Sequence, residues 1–153
     1  MIRSIAKKLP KGYRDIVKQV YYRRQIARNT FRSPEKEYPE IKNWVSEGDW
    51  VLDVGANVGH YTRLFSNLVG KSGRVLAIEP NPDTFAFLAN NVADLPNVTA
   101  LNVAATEHPQ ELGFEIPDNN PYLARISSSG NLRVLGINLS EICCAFELAF
   151  TNG

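Results

Sequence analysis

The ten residues WVLDVGANVG, 50–59, constrain this chain more than any other stretch. An apolar run of strand type ends in a glycine turn, and a helical pattern follows at once. In that pattern Val58, Tyr61, Thr62, Phe65, Leu68 and Val69 share one face, and Gly70 and Gly73 close it. RVLAIE, 74–79, reads as a second apolar strand. Asn81 is placed to cap the next helix, with Pro82 at its first position and Asp83 in its first turn. Phe85, Leu88, Ala89 and Val92 make that helix's inner face, and VTALNVAA, 98–105, reads as a third strand. Strand, helix, strand, helix, strand at this spacing predicts an α/β fold of parallel strands with right-handed crossovers. Apolar runs in place of alternation predict that both sheet faces are covered.

The flanks are less regular. Residues 1–37 read as a basic arm with two amphipathic helical stretches, ending in a linker at Ser33-Pro34 and Tyr38-Pro39, and EIKNWVSE, 40–47, as a short helix. ELGFEI, 111–116, alternates like a strand, 117–131 is loop-like, and LRVLGI is a further strand candidate. Ser140 is expected to cap a last short helix, EICCAFELAF. The domain proper is drawn at 38–135, leaving 136–153 as an atypical tail.

Charge divides along the same lines. Residues 1–34 hold ten Lys/Arg against one acid, and the remainder holds seven against fifteen. The acidic body argues against nucleic acid as a partner. The arm is expected to be a solvated helical element, with weak peripheral contact to an anionic membrane as the sharper alternative. The adjacent pair Cys143-Cys144 points to reduced thiols and a cytoplasmic location, no apolar h-region follows the basic start, and no metal-ligand spacing is present. An organellar transit peptide is the alternative reading of the arm.

A strand–glycine loop–helix unit presents backbone N–H groups and a positive helix end. Dinucleotide enzymes use it with the spacing G-x-G-x-x-G. Here the spacing is Gly55-x-Asn57-x-Gly59, with Asp53 two residues ahead of the first glycine. A carboxylate beside a pyrophosphate is repulsive by about 1 kcal/mol or more. Beside an ammonium group it is attractive. Glu79, 26 residues further on, ends the second strand, where an acid can accept from both hydroxyls of an adenosine ribose. An adenosine with a cationic tail describes S-adenosyl-L-methionine better than NAD.

These residues resemble the FkbM-type family of S-adenosylmethionine-dependent methyltransferases. The resemblance rests on the D-x-G-A-N-x-G loop, Asp53 to Gly59, and the E-P-x-P turn, Glu79 to Pro82, and covers roughly residues 38–135. It implies a Rossmann-like class I methyltransferase fold and methyl transfer to a hydroxyl of a sugar or natural-product-like small molecule. It places Asp53, Gly55, Ala56, Asn57 and Gly59 around the methionine part, Glu79 and Pro80 at the ribose, and Ala104 and Ala105 near the adenine. It also implies a later strand of the form D-x-x-K-x-D-x-E-G, which the sequence lacks. The fold is therefore expected to be incomplete: three parallel strands with flanking helices, then a hairpin-like extension, with weak or no turnover. Its first strand would be a bare sheet edge, open to a complementary chain.

No catalytic residue is assigned. His60 is expected on the exposed side of its helix. His108, before Pro109, is the weak candidate for a general base, while Tyr122 and Asn119-Asn120 read as ordinary loop polarity. A non-catalytic interaction module and an NAD-dependent half-domain are the competing readings.

Overall fold

The computed structural model describes residues 38–115 and 125–145, together with Gln25. The predicted basic arm, the loop residues Asn119, Asn120 and Tyr122, and the chain after Ala145 lie outside the described residues.

The chain enters through a single 3-10 turn, Ile41–Asn43, rather than the longer helix expected over 40–47. Asp49 Oδ2 accepts from the backbone N–H of Ser46 at 2.8 Å, and Gly48 takes a φ of 90°. These turn the backbone into the first strand before a second helical turn can form.

Three strands and two helices then follow in the predicted order: β1 (Trp50–Val54), α1 (His60–Val69), β2 (Arg74–Ile78), α2 (Pro82–Val92) and β3 (Val98–Leu101). The strands are parallel in the order β1-β2-β3, with Asp53 opposite Ala77 and Ile78 opposite Leu101. This is a Rossmann-like α/β arrangement. α2 starts where the sequence says it should: Asn81 Oδ1 accepts from the N–H groups of Asp83 and Thr84, with Pro82 at the first position. α1 ends at Gly70, whose φ of 65° suits glycine.

Both faces of this sheet are covered over β2. On one side Ala77 packs with Ala56, Leu88 and Val92 under the helices. On the other, Leu76 and Ile78 pack with Val103 and Ile142. Polar ties hold the helices in register. Asn91 Nδ2 donates to the Val58 carbonyl at 2.8 Å, Arg63 reaches the Asn91 carbonyl and pairs with Asp94, and Asn97 Nδ2 bonds the carbonyls of Ser66 and Gly70 at the end of α1.

The predicted strand 98–105 is in fact two. β3 stops at Leu101, and β4 (Ala104–Thr106) belongs to a second sheet. The break falls at Asn102, whose side-chain amide donates to the carbonyls of Glu79 and Pro80 at 2.8 and 3.0 Å. That carboxamide ends the ladder and turns the chain away.

The second sheet adds β5 (Gln110–Glu115), β6 (Arg125–Ile126) and β7 (Leu132–Asn138) in the order β4-β7-β5-β6. β5 runs antiparallel to β6 and β7, while β4 pairs with β7 in parallel. The hairpin-like extension is thus a four-stranded mixed sheet with its own small core of Ala104, Leu112, Phe114 and Val134. α3 (Leu139–Ala145) is opened by Asn138, whose Oδ1 accepts from the Ser140 N–H at 2.7 Å, so Asn138 takes the role expected of Ser140. The division drawn at residue 135 falls inside β7. Ile137 and Ile142 then pack against the first sheet, which makes the start of the supposed tail part of its core.

Among the described residues β1 is paired on one side only, and Trp50 and Val54 on it are each 51% exposed. No described helix is long and apolar enough to cross a membrane.

Candidate functional site

Asp53 and Glu79 come together because β1 and β2 are neighbours in parallel register. Val54 pairs with Ile78, so Asp53 sits one residue before the carboxyl end of its strand and Glu79 one residue after the end of the next. Ligands of open α/β sheets bind at those carboxyl ends.

The glycine loop joins the two acids. The N–H groups of Gly55 and Ala56 both donate to the Ile78 carbonyl, at 2.9 and 3.0 Å. The loop therefore folds over the end of β2 rather than continuing β1. Gly55, Asn57 and Gly59 all have positive φ, at 80°, 51° and 86°. That conformation is natural for glycine and tolerated by asparagine. The fold brings the Asn57 N–H to Glu79 Oε2 at 3.0 Å, while the Asn81 N–H reaches Oε1 at 2.9 Å. Glu79 is buried yet held in one orientation by two backbone donors. Each oxygen keeps a lone pair for a further donor.

Burial pushes the Glu79 carboxyl above its ordinary value, and the Asn81 and Asn57 N–H groups oppose the rise. Burial also raises Asp53. The Thr62 hydroxyl, 2.6 Å from Oδ2, pulls the other way, and the charge of Glu79 adds to the rise. Two carboxylates held near one another at some electrostatic cost suit a ligand that brings positive charge and hydroxyl donors.

The two glycines serve different ends. A Cβ on Gly55 would meet nothing within 4 Å, so the space above it is open to a ligand. A Cβ on Gly59 would come within 2.7 Å of Leu88 Cδ1, so that glycine lets α1 pack on α2. Ala56 is buried in the core beneath the loop, and the Pro80 carbonyl is tied to Asn102. Asn57 Oδ1 is buried without a hydrogen-bond partner among the described residues. Open space over Gly55, that orphaned acceptor and the acidic pair form a set of acceptors that fits an adenosine carrying a cationic amino-acid tail.

Ala104 is buried in the core of the second sheet and Ala105 is half-buried opposite Ile137. The structure therefore joins Asp53, the loop and Glu79, and sets the two alanines in the neighbouring sheet. His60 departs from its expected exposure: it is half-buried, with its ring 4.7 Å from Tyr61 and 6.2 Å from Tyr38. Tyr38, from the supposed linker, packs edge-on against Tyr61 beside the histidine; burial raises the Tyr38 phenol. His108 is exposed beside Glu107. Cys143 is buried and Cys144 exposed, both as free thiols.

Two contributors escaped the sequence reading. Helical spacing puts Thr62 on the apolar face of its helix, and its position nine residues after Asp53 is the available signal. Asn102 stood out only as one polar residue inside an apolar run.

Residues 15–112 match the family model of the TRM5/TYW2 methyltransferase domain. The chain belongs to that family. It is an S-adenosylmethionine-dependent methyltransferase family, and the match carries nothing specific to the FkbM type. Among solved structures, a SAM-dependent methyltransferase from Aquifex aeolicus is 28% identical, over 63% of this chain and 53% of its own, with a TM-score of 0.42. Fibrillarin from Aeropyrum pernix, solved with natively bound S-adenosyl-L-methionine, is 27% identical over 39% of this chain and 26% of its own, at 0.38. A SAM-dependent O-methyltransferase from Thermotoga maritima is 24% identical over 51% and 32%, at 0.40. The chain thus spans between about a quarter and about half the length of these structures. No curated protein matches it.

Proposed function

We propose that this family member is an FkbM-type O-methyltransferase, acting on a hydroxyl of a sugar or natural-product-like small molecule. In this reading Asp53 and the loop of Gly55, Ala56, Asn57 and Gly59 hold the methionine part of the cofactor. Glu79 and Pro80 receive the ribose, and Ala104 and Ala105 lie toward the adenine. The observation that carries its cofactor part is the pair of hydrogen-bonded carboxylates at the ends of β1 and β2, bridged by the loop. The D-x-G-A-N-x-G loop and E-P-x-P turn support the FkbM type.

When bound, the cofactor supplies a methyl group on a positively charged sulfur. The chain's own part is binding and orientation: Glu79 presents fixed acceptors, Asp53 places a negative charge, and the positive-φ loop lets the backbone approach. An in-line displacement depends chiefly on such positioning.

Calorimetric titration of the whole chain with S-adenosylmethionine, beside Glu79→Ala, tests the cofactor reading. Binding weakened by about 1–3 kcal/mol in the variant matches loss of a charge-assisted ribose contact. A folded wild-type sample that takes up no cofactor overturns it. Methyl transfer to a panel of sugar and small-molecule hydroxyls tests the acceptor class.

A second reading, an interaction module that pairs with another chain, draws on the half-exposed Trp50 and Val54 of the one-sided strand β1. A monomer in sedimentation with one cooperative melt would count against it.

A further inference from the structure

Thr62 lies at the third position of α1 and is completely buried. A threonine inside a helix commonly returns its hydroxyl to the carbonyl four residues back. Here that carbonyl belongs to Val58, which accepts from the amide of Asn91 on α2 at 2.8 Å. The Thr62 hydroxyl donates out of its own helix, to Asp53 Oδ2 at 2.6 Å. It sits directly under the glycine loop, 3.8 Å from where a Cβ on Gly59 would stand. A hydroxyl has one proton to donate, and this one is committed to one carboxylate oxygen. Among the described residues Asp53 Oδ1 has no hydrogen-bond partner.

We propose that Thr62 is a positioning residue of the cofactor site: it engages one oxygen of Asp53, fixes the carboxylate, and leaves the other oxygen to accept from the ligand's ammonium group. The identity of that ligand rests on the function proposed above; the effect of Thr62 on Asp53 does not. Three elements bear on this carboxyl. Burial at its place on β1 and the Glu79 charge at the end of β2 raise it, and α1 supplies the Thr62 hydroxyl that opposes both.

The test uses the full chain with Thr62→Val, which keeps the side chain's shape, and Thr62→Ser, which keeps the hydroxyl. Carbon-detected NMR follows the Asp53 carboxyl through a pH titration without ligand. Its midpoint is expected to move to higher pH in Thr62→Val and to return in Thr62→Ser. Calorimetry with S-adenosylmethionine is expected to give about tenfold weaker binding for Thr62→Val, with affinity lost at a higher pH on acidification, and recovery in Thr62→Ser. A folded Thr62→Val whose Asp53 titration matches wild type overturns the inference, whatever binds. A shifted Thr62→Val titration, beside a folded wild-type chain that takes up no cofactor, overturns the cofactor reading and leaves the effect of Thr62 on Asp53 standing. A lowered melting temperature with unchanged titration and affinity would mean a purely structural hydrogen bond and would also sink it.

Discussion

Gly55→Ala and Gly59→Ala make the same chemical change in the same loop, and the structure predicts different consequences. Both residues have φ near 80°, where a side chain costs about 1–2 kcal/mol. At Gly55 nothing lies within 4 Å of the added methyl, so that backbone term is the whole loss. At Gly59 the methyl would stand 2.7 Å from Leu88 Cδ1 and 3.3 Å from Val92 Cγ1. Leu88 is fully buried, so its side chain would have to shift within a close-packed core. Overpacking a filled core adds about 1–3 kcal/mol, bringing Gly59→Ala to about 2–5 kcal/mol. Urea unfolding of both variants measures the difference. Leu88→Ala supplies the internal control, since it removes the atom in the way. The double variant Gly59→Ala/Leu88→Ala is expected to be more stable than the sum of the single losses predicts. Equal losses at the two glycines, together with additivity in the double variant, would refute the packing argument and leave only backbone conformation.

Asp53 gives a pH prediction. Burial raises its native value, so between the unfolded and native values the native state holds a proton that the unfolded chain has released. Stability without cofactor then falls as pH rises through that window. Asp53→Asn keeps an acceptor for Thr62 and removes the charge; it is expected to flatten that slope and raise the melting temperature at neutral pH while abolishing cofactor affinity. A lower melting temperature would show the charge to be stabilising instead. Asn97→Ala deprives the Ser66 and Gly70 carbonyls of a donor, and denaturant melts are expected to show a loss of about 2–4 kcal/mol.

The cofactor half of the fold was legible because its local signals agree with one another. Apolar runs gave β1 and β2, Asn81 with Pro82 gave the start of α2, and glycines gave the end of α1. The misread places are those where one side chain reaches across the fold. Nothing in VTALNVAA announces that Asn102 will seek the carbonyls of Glu79 and Pro80 and so end the strand at Leu101. His60 was placed by helical periodicity, which does not register Tyr38 arriving from an earlier segment. The tail was set apart because its sequence breaks from the family pattern, whereas its packing is decided by Ile137 and Ile142 meeting β2. In the site, the carboxylates and glycines were visible as residue types. The hydroxyl behind Asp53 was not, since a threonine on an apolar helix face looks like filler.

Asn102 has a mechanical consequence. Its two amide protons are spent on consecutive carbonyls of the same turn, those of Glu79 and Pro80. The peptide planes that carry the Glu79 carboxylate are thereby pinned to the point where the chain crosses from one sheet to the other. These bonds tie the turn to that crossover, which sets it apart from a free loop. A load on the four-stranded sheet, from a bound molecule or a change in its strands, is expected to reach Glu79 through these two bonds.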